Sequence, residues 1–158
     1  MTDYKLDKLD YRILKILQEN SKITNLDLSK MIGLSPAPTL ERVKKLEQAG
    51  IIGSYHAKLD WKAMGFQVKT FVLVSLNWKS PDTMDRFLEK IRKIDEVTEV
   101  YIITGEADAL IKIVCKDIPS YETILFKKLS QIEEIERLKS MVTLSTAKES
   151  MVLPLQYE

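Results

Sequence analysis

The sequence has one cysteine, Cys115, one histidine, His56, and only five glycines in 158 residues. A single cysteine excludes an intrachain disulfide framework and fits a reducing compartment. With neither His56 nor Cys115 near a chemical partner in sequence, no metal-ligand spacing and no nucleophile–base pair is present. His56 reads as a surface residue of an extended segment, and Cys115 as a buried strand residue. No glycine loop has the spacing that cradles a phosphate, and no paired acid–base motif appears. No cofactor is expected, and the chain does not read as an enzyme. No apolar run approaches the length needed to span a bilayer. The first twenty residues are charged and periodic, unlike a signal peptide. No membrane partner is expected, and the expected location is the cytoplasm. Charge of one sign is also missing: 24 Lys and Arg against 23 Asp and Glu give a formal net charge of +1. Residues 1–60 hold ten Lys/Arg against eight Asp/Glu, and the remainder 14 against 15. Any nucleic-acid surface must therefore be a local face, not a whole-domain charge.

What is present is periodicity, and it changes along the chain. Hydrophobic residues make up 45% and charged residues 30%, an ordinary balance for a chain that buries a core. In "LDKLDYRILKILQEN", Leu6, Leu9, Ile13, Leu14 and Leu17 recur at helical spacing with Asp7 as N-cap. In "TNLDLSKMIG", Thr24 and Asp27 form a capping-box pattern, Leu28, Met31 and Ile32 make the apolar stripe, and Gly33 supplies the stop. A third helix follows in "GLSPAPTLERVKKLEQAGII", with Leu40, Val43 and Leu46 inward and Gly50 at its end. Beyond it, "GIIGSYHAKLD" reads as extended, and Gly65 marks a break. The order is then strand ("VKTFVLVSLNW"), helix ("SPDTMDRFLEKIRKI"), strand ("VTEVYIIT"), strand ("ALIKIVCK"), helix ("DIPSYETILFKKLSQI") and strand ("IERLKSMVTLS"). Ser80 is the expected N-cap of the first of these helices, with Pro81 at its first position and Met84, Phe87, Leu88 and Ile91 inside. "EKIRK" reads as a solvated face, and Phe126 and Met141 as core. The tail from Ala147 reads as looser, with "MVLPL" able to dock.

An internal repeat runs through the second half at an offset of 38 residues. Pro81 matches Pro119, Leu88 matches Phe126, Ile91 matches Leu129, and "IDEVTEV" matches "IEEIERL". Two strand–helix–strand units give βαββαβ, the ferredoxin-like arrangement of an antiparallel sheet with two helices on one face. The expected fold class is α+β. Its parts are a helix-turn-helix domain over 1–50, an extended linker strand over 51–64, a βαββαβ domain over 65–148 and a tail over 149–158.

The third helix opens on "SPAP". Proline costs little in a first helical turn, where N–H groups are unpaired, and its fixed φ suits the helix. Ser35 is the expected N-cap. A short turn joins this basic helix to the short one before it, which makes a helix-turn-helix whose second helix enters the DNA major groove by its first turns. The candidate DNA-binding residues are Ser35, Pro36, Ala37, Pro38, Thr39, Glu41, Arg42 and Lys45. Ala37 and Pro38 have little bulk to set against base edges. Thr39 offers a hydroxyl and a methyl, and Arg42 and Lys45 are placed to grip phosphate or guanine. Glu41 suits cytosine or the orientation of Arg42. The plainer reading is a solvated helix face on which Glu41 and Lys45 form an i,i+4 pair.

Three marks together, "LDxxDxxIL", "LSPxPxxxRVKxLExxGxI" and "GSYHAKLD", resemble the N-terminal half of the leucine-responsive regulatory protein (Lrp/AsnC, feast/famine) family. "ITGEADALI" and the two strand–helix–strand units are similar to its C-terminal ligand-sensing domain. The resemblance runs to about Lys148. It implies a winged-type helix-turn-helix that binds double-stranded DNA, a linker over Ile51–Asp60, and a βαββαβ domain that dimerises through its sheets. It also implies assembly of homodimers into an octamer or similar ring, with an amino-acid effector bound between dimers. The family's effector loop falls on Thr104, Gly105, Glu106, Ala107 and Asp108. Contacts from the adjoining dimer fall on Ser130, Gln131, Val142, Thr143 and Ser145. Where many relatives carry Pro-Gly, this chain has Glu133-Glu134, a change of charge beside the expected pocket. Read from its own residues, Gly105 lets a backbone N–H approach a carboxylate. Asp108 is placed to meet an ammonium group or to hold the loop's own N–H groups. An ordinary hairpin turn uses the same residue types.

The leading functional expectation is a sequence-specific DNA-binding transcriptional regulator that responds to an amino acid. An architectural, DNA-compacting protein without an effector is the alternative. An enzyme subunit on a ferredoxin-like domain is the third class, opposed by the absences above.

Overall fold

A computed structural model describes residues 4–157. The chain divides into two compact units, one reaching to Lys58 and including the segment from Lys148 onward, the other spanning Leu59–Ala147.

The first unit is three helices, α1 (Lys8–Glu19), α2 (Asn25–Ile32) and α3 (Pro36–Gln48). Asp7 opens α1 with a reciprocal capping box: its carboxylate accepts the Asp10 N–H at 2.9 Å, and Asp10 accepts the Asp7 N–H at 3.1 Å. Thr24 caps α2 by accepting the Asp27 N–H. Gly33 ends α2 in the left-handed region, φ 77, where its N–H and that of Leu34 return to Ser29 O. The guanidinium of Arg12 donates to Met31 O at 2.7 Å and so serves an orphan carbonyl of the same helix end. Ile13, Leu14, Leu28, Ile32 and Leu46 form the core, with Leu6, Leu17 and Val43 packed against it. Leu40, expected inside, is 43% exposed. The inward face of α3 is set by Thr39, Val43 and Leu46, and Leu40 falls beside that stripe. Residues 53–60 carry no helix or strand, in place of the expected linker strand. A lone extended segment has no ladder to satisfy its backbone groups.

The second unit is β1 (Val68–Leu76), α4 (Thr83–Ile91), β2 (Val97–Ile102), β3 (Ala109–Cys115), α5 (Ile118–Thr123) and β4 (Ile135–Val142). The sheet order is β2-β3-β1-β4, with every neighbouring pair antiparallel. Alternate residues of β1 (Val68, Thr70, Val72, Val74 and Leu76) are buried, as are Ala109, Ile111, Ile113 and Cys115 of β3. Phe87 and Ile91 of α4 are buried in the same core with Tyr121, Ile124 and Leu129. Full burial of a side chain such as Phe87 contributes about 1.5–3 kcal/mol. The other face of the sheet carries Phe71, Leu73, Leu110 and Val114, all half-buried, with Tyr101 and Met141 exposed.

Three expectations are corrected here. Ser80 does not cap α4. Its hydroxyl donates to Asp82 at 2.6 Å, and the helix starts at Thr83. Phe126 is 66% exposed. After α5 the helix widens into a π turn at Ile124–Lys128, then a 3₁₀ turn at Leu129–Gln131. Ile124 and Leu129, five residues apart, both point inward, which turns Phe126 out. Met141 is 40% exposed because its register partner Phe71 puts it on the face away from the helices.

Glu134, expected to add charge beside a pocket, is instead turned in. It is 5% exposed, and its carboxylate accepts from Lys90 Nζ at 2.7 Å and Arg86 Nε at 3.0 Å. The Lys90 bond, helped by Arg86, outweighs burial and holds the Glu134 carboxyl below its ordinary value. A folded value below the unfolded one means that the pair's stabilisation is full above about pH 4.3 and is lost as pH falls through the folded value. Glu134→Ala should cost about 1–3 kcal/mol at pH 7, and exposed Glu133→Ala within about 0.5 kcal/mol. Urea denaturation at several pH values checks both. The deficit of the Glu134 variant should shrink as pH falls below about 4.3.

Candidate functional site

The first turn of α3 is unusual in its donors. Pro36 and Pro38 have no N–H, and the Thr39 N–H bonds Ser35 O at 3.3 Å. Of the first three helical residues, only Ala37 keeps an N–H for an incoming anion. Ser35 sits at the N-cap position with extended backbone, but its side chain makes no capping bond. Ser35, Pro36, Ala37, Pro38, Glu41 and Lys45 are all exposed.

Two residues expected at the DNA are engaged within the helical unit. Thr39 is 0% exposed, and its hydroxyl donates to Ser35 O at 2.9 Å. It sits three positions before Val43's neighbour Arg42 on the inward side of the helix, where the hydroxyl closes a local loop instead of facing a base. Arg42 is half-buried. One of its guanidinium nitrogens, Nη1, donates to Asp7 at 2.7 Å and to Asp10 at 2.8 Å. Asp10 is 1% exposed and also accepts from the Tyr4 hydroxyl at 3.3 Å. The two carboxylates push the Arg42 guanidinium further into its charged form. Burial alone would raise the Asp7 carboxyl, but the Asp10 N–H and Arg42 outweigh it and bring it below its ordinary value. Arg42 is thus a clamp between α3 and the start of α1. The exposed cation that spacing reasoning left out of the face is Lys44, seven residues after Ala37, as i+7 periodicity indicates.

The second cluster lies between β2 and β3. Thr104, Gly105 and Glu106 are exposed, and Ala107 and Asp108 half-buried. Gly105 has φ 114, a left-handed value that favours glycine. The Asp108 N–H donates to Val74 O, and its carbonyl accepts the Ile103 N–H. Its carboxylate accepts the Leu76 N–H at 2.7 Å and the Trp78 indole N–H at 3.0 Å. The Asp108 carboxylate is thus bonded to Leu76 and Trp78 and to none of the N–H groups of residues 104–107. It stitches the loop to the end of β1. Trp78, absent from the sequence-based set, joins the cluster through its indole N–H; it is more than half exposed, and no signal in the sequence marks it. A cavity of about 280 Å³ beside the loop is lined by Leu73, Ser75, Glu106, Ala107, Arg137, Leu138 and Lys139.

Other expected ligand residues are not brought to this loop within one chain. Val142 pairs with Thr70, whereas the loop is tied to Val74 and Leu76, at least about 13 Å further along β1. Thr143, whose N–H donates to Lys69 O, and Ser145 lie beyond Val142. Ser130 and Gln131 are exposed in the last helical turn, with the Ser130 hydroxyl donating to Phe126 O. Among the described residues, no group of three or more His, Cys, Asp or Glu is placed to hold a metal ion. No described helix is long and apolar enough to cross a membrane.

Residues 6–52 match the family model for a winged helix-turn-helix DNA-binding domain, and residues 69–153 that for the Lrp/AsnC ligand binding domain. The chain belongs to the Lrp/AsnC family. It is 39% identical to the transcriptional regulator AzlB of Bacillus subtilis over 150 residues, 95% of this chain and 96% of that one. It is 34% identical to the leucine-responsive regulatory protein of Escherichia coli K12 over 145 residues, 92% and 88% of the two chains. Among solved structures, a transcriptional regulator of Neisseria meningitidis in complex with L-Met superposes with a TM-score of 0.91 at 34% identity, covering 95% of this chain and 97% of that one. E. coli AsnC does so at 0.86 and 33%, covering 94% and 99%. Members of this family are DNA-binding transcriptional regulators, not enzymes, and the Lrp/AsnC half of this chain is a ligand-binding domain.

The two kinds of cation on α3 should separate by experiment. Arg42→Ala leaves Asp10 buried without its cation and should cost about 3 kcal/mol in chemical denaturation. Lys44→Ala and Lys45→Ala should leave the melting temperature near wild type and each reduce the salt slope of DNA binding by roughly one.

Proposed function

We propose that the chain is a sequence-specific regulator whose DNA affinity or oligomeric state changes when an amino acid binds at the Thr104–Asp108 loop. The observation that carries this reading is the loop itself. Asp108 ties the loop to β1 at Val74 and Leu76, to Trp78 just past it and to Ile103 across the loop, while Gly105 and Glu106 stay exposed beside a cavity walled by Arg137 and Lys139. A zwitterion needs a cationic or N–H partner for its carboxylate and an anionic one for its ammonium group. Arg137, Lys139 and the loop N–H groups meet the first need, and Glu106 the second. The related Neisseria regulator was crystallised with L-Met, which supports an amino acid as the ligand class.

The DNA-binding residues in this reading are Ser35, Pro36, Ala37, Pro38, Glu41, Lys44 and Lys45, carried by a domain over 1–50. The 65–148 domain senses and assembles. The sheet face that carries Phe71, Leu73, Leu110, Tyr101 and Met141 joins two copies into a homodimer, because an apolar face of this extent is ordinarily covered. Dimers then associate into an octamer or similar ring, which brings Ser130, Gln131, Val142, Thr143 and Ser145 of one dimer to the loop of another. The proposed place of action is the cytoplasm.

Melting curves across the twenty amino acids test the effector. A ligand that binds only the folded state stabilises it by about 2.7 kcal/mol at a hundredfold excess over Kd. At least one amino acid should raise the melting temperature by several degrees, and a flat screen would sink the effector reading. Glu106→Gln and Arg137→Ala should abolish that shift with little change in the free protein. Asp108→Ala should lower the melting temperature with and without ligand, because it unpairs the Leu76 N–H. Selection of duplexes from a random pool decides specificity. A sharp preferred site fits a regulator, and uniform binding fits the architectural alternative.

A further inference from the structure

The DNA-binding unit is built from both ends of the chain. After β4 ends at Val142, the residues from Lys148 onward belong with the three helices. The tail lies along one face of α1. Gln18 holds both backbone groups of Leu153: its Oε1 accepts the Leu153 N–H at 2.7 Å, and its Nε2 donates to Leu153 O at 3.4 Å. A tight turn at Pro154, with the Leu155 N–H on Leu153 O at 2.8 Å, sends the Leu155 side chain against the helical core. Tyr157 then meets Tyr11 edge to face, ring centroids 5.4 Å apart. Tyr11 and Gln18 are seven residues apart, so they lie on one side of α1.

α1 does not carry the exposed DNA-facing residues. It carries Asp7 and Asp10, which hold Arg42 of α3. The contacts therefore form one series: tail to Gln18 and Tyr11, α1 to its capping carboxylates, and these to the recognition helix. The tail is held by few contacts. Met151, Leu153 and Tyr157 remain more than half exposed, and one amide, one leucine and one ring contact must offset the entropy of ordering seven residues. Docking of this kind is close to balance and can be released.

We propose that residues 151–157 are a strap that fixes α1 and, through Asp7, Asp10 and Arg42, the recognition helix, so that DNA affinity depends on the strap being docked. Because the strap follows β4 in the chain, it also joins the ligand-binding domain to this series of contacts. That second step rests on the effector reading, and the first does not.

The test compares the full-length chain, Gln18→Ala, and a chain ending at Ser150, each on a duplex selected by the wild type. Both variants should bind roughly five- to tenfold more weakly, in the lower range of ordinary coupling, with an unchanged salt slope, since no phosphate contact is lost. Amide exchange should quicken in α1 and stay slow in β1 and β3. Binding within twofold of wild type for both variants overturns the proposal. So does weaker binding with α1 exchange unchanged, which would place the effect outside the strap. A failure of all twenty amino acids to move the wild-type melting temperature overturns the effector reading alone and leaves the DNA comparison to judge the strap.

Discussion

The guanidinium of Arg42 is the interaction on which the DNA-reading half depends. A recognition helix reads base edges only if its exposed face is held within a fraction of an ångström, and hydrophobic contact alone fixes position but not rotation or slide well. Arg42 supplies the directional bond. It reaches from the middle of α3 to the two carboxylates that also close the capping box of α1. One charge cluster thus terminates a helix, pairs a buried carboxylate and sets the pose of a second helix. The cost of burying Asp10 is tolerable only because all three roles are met at once.

The same rule governs the ligand-binding half. Glu134 is turned in on Arg86 and Lys90, and Asp108 is occupied by Leu76 and Trp78. Each is a charge that a sequence reading offers to a ligand and that the fold uses for itself. What is left at the surface is Lys44, Lys45 and Glu41 on α3, and around the loop Arg137 with the exposed Glu106–Lys139 pair, whose charged atoms are 3.9 Å apart. The charges open to a partner are those the fold does not already hold in close, partly buried hydrogen bonds.

This explains which parts were legible in the sequence. The element order and the ferredoxin-like topology follow from hydrophobic period, because apolar burial is non-directional and leaves a regular pattern. Helix starts at Asp7 and Thr24 and the stop at Gly33 were legible because capping chemistry is local. Thr39, Arg42 and Asp108 were not. Their partners lie at Ser35, at Asp7 and Asp10, and at Leu76 and Trp78, and only the second and third of these are distant in sequence. Thr39 reads as outward for a different reason: a threonine that bonds back to the carbonyl four residues earlier looks, in sequence, like one that faces out. Phe126 was misplaced because periodicity assumes 3.6 residues per turn, and a π turn violates that locally.

The π turn decides which residues at the end of this helix face outward. It lies between α5 and the exposed Ser130 and Gln131, and it turns Phe126, Lys127 and Lys128 outward together. A regular α-helix would carry Leu129 about 100° further round than a π turn does, and Leu129 is fully buried in the core. The widened turn therefore lets the core keep Ile124 and Leu129 while the outer surface of the same helix is rotated. Packing fixes the inner residues, and the irregularity frees the outer ones from any demand of the core. A structural defect kept at this place has a physical use that neither periodicity nor propensity would have selected.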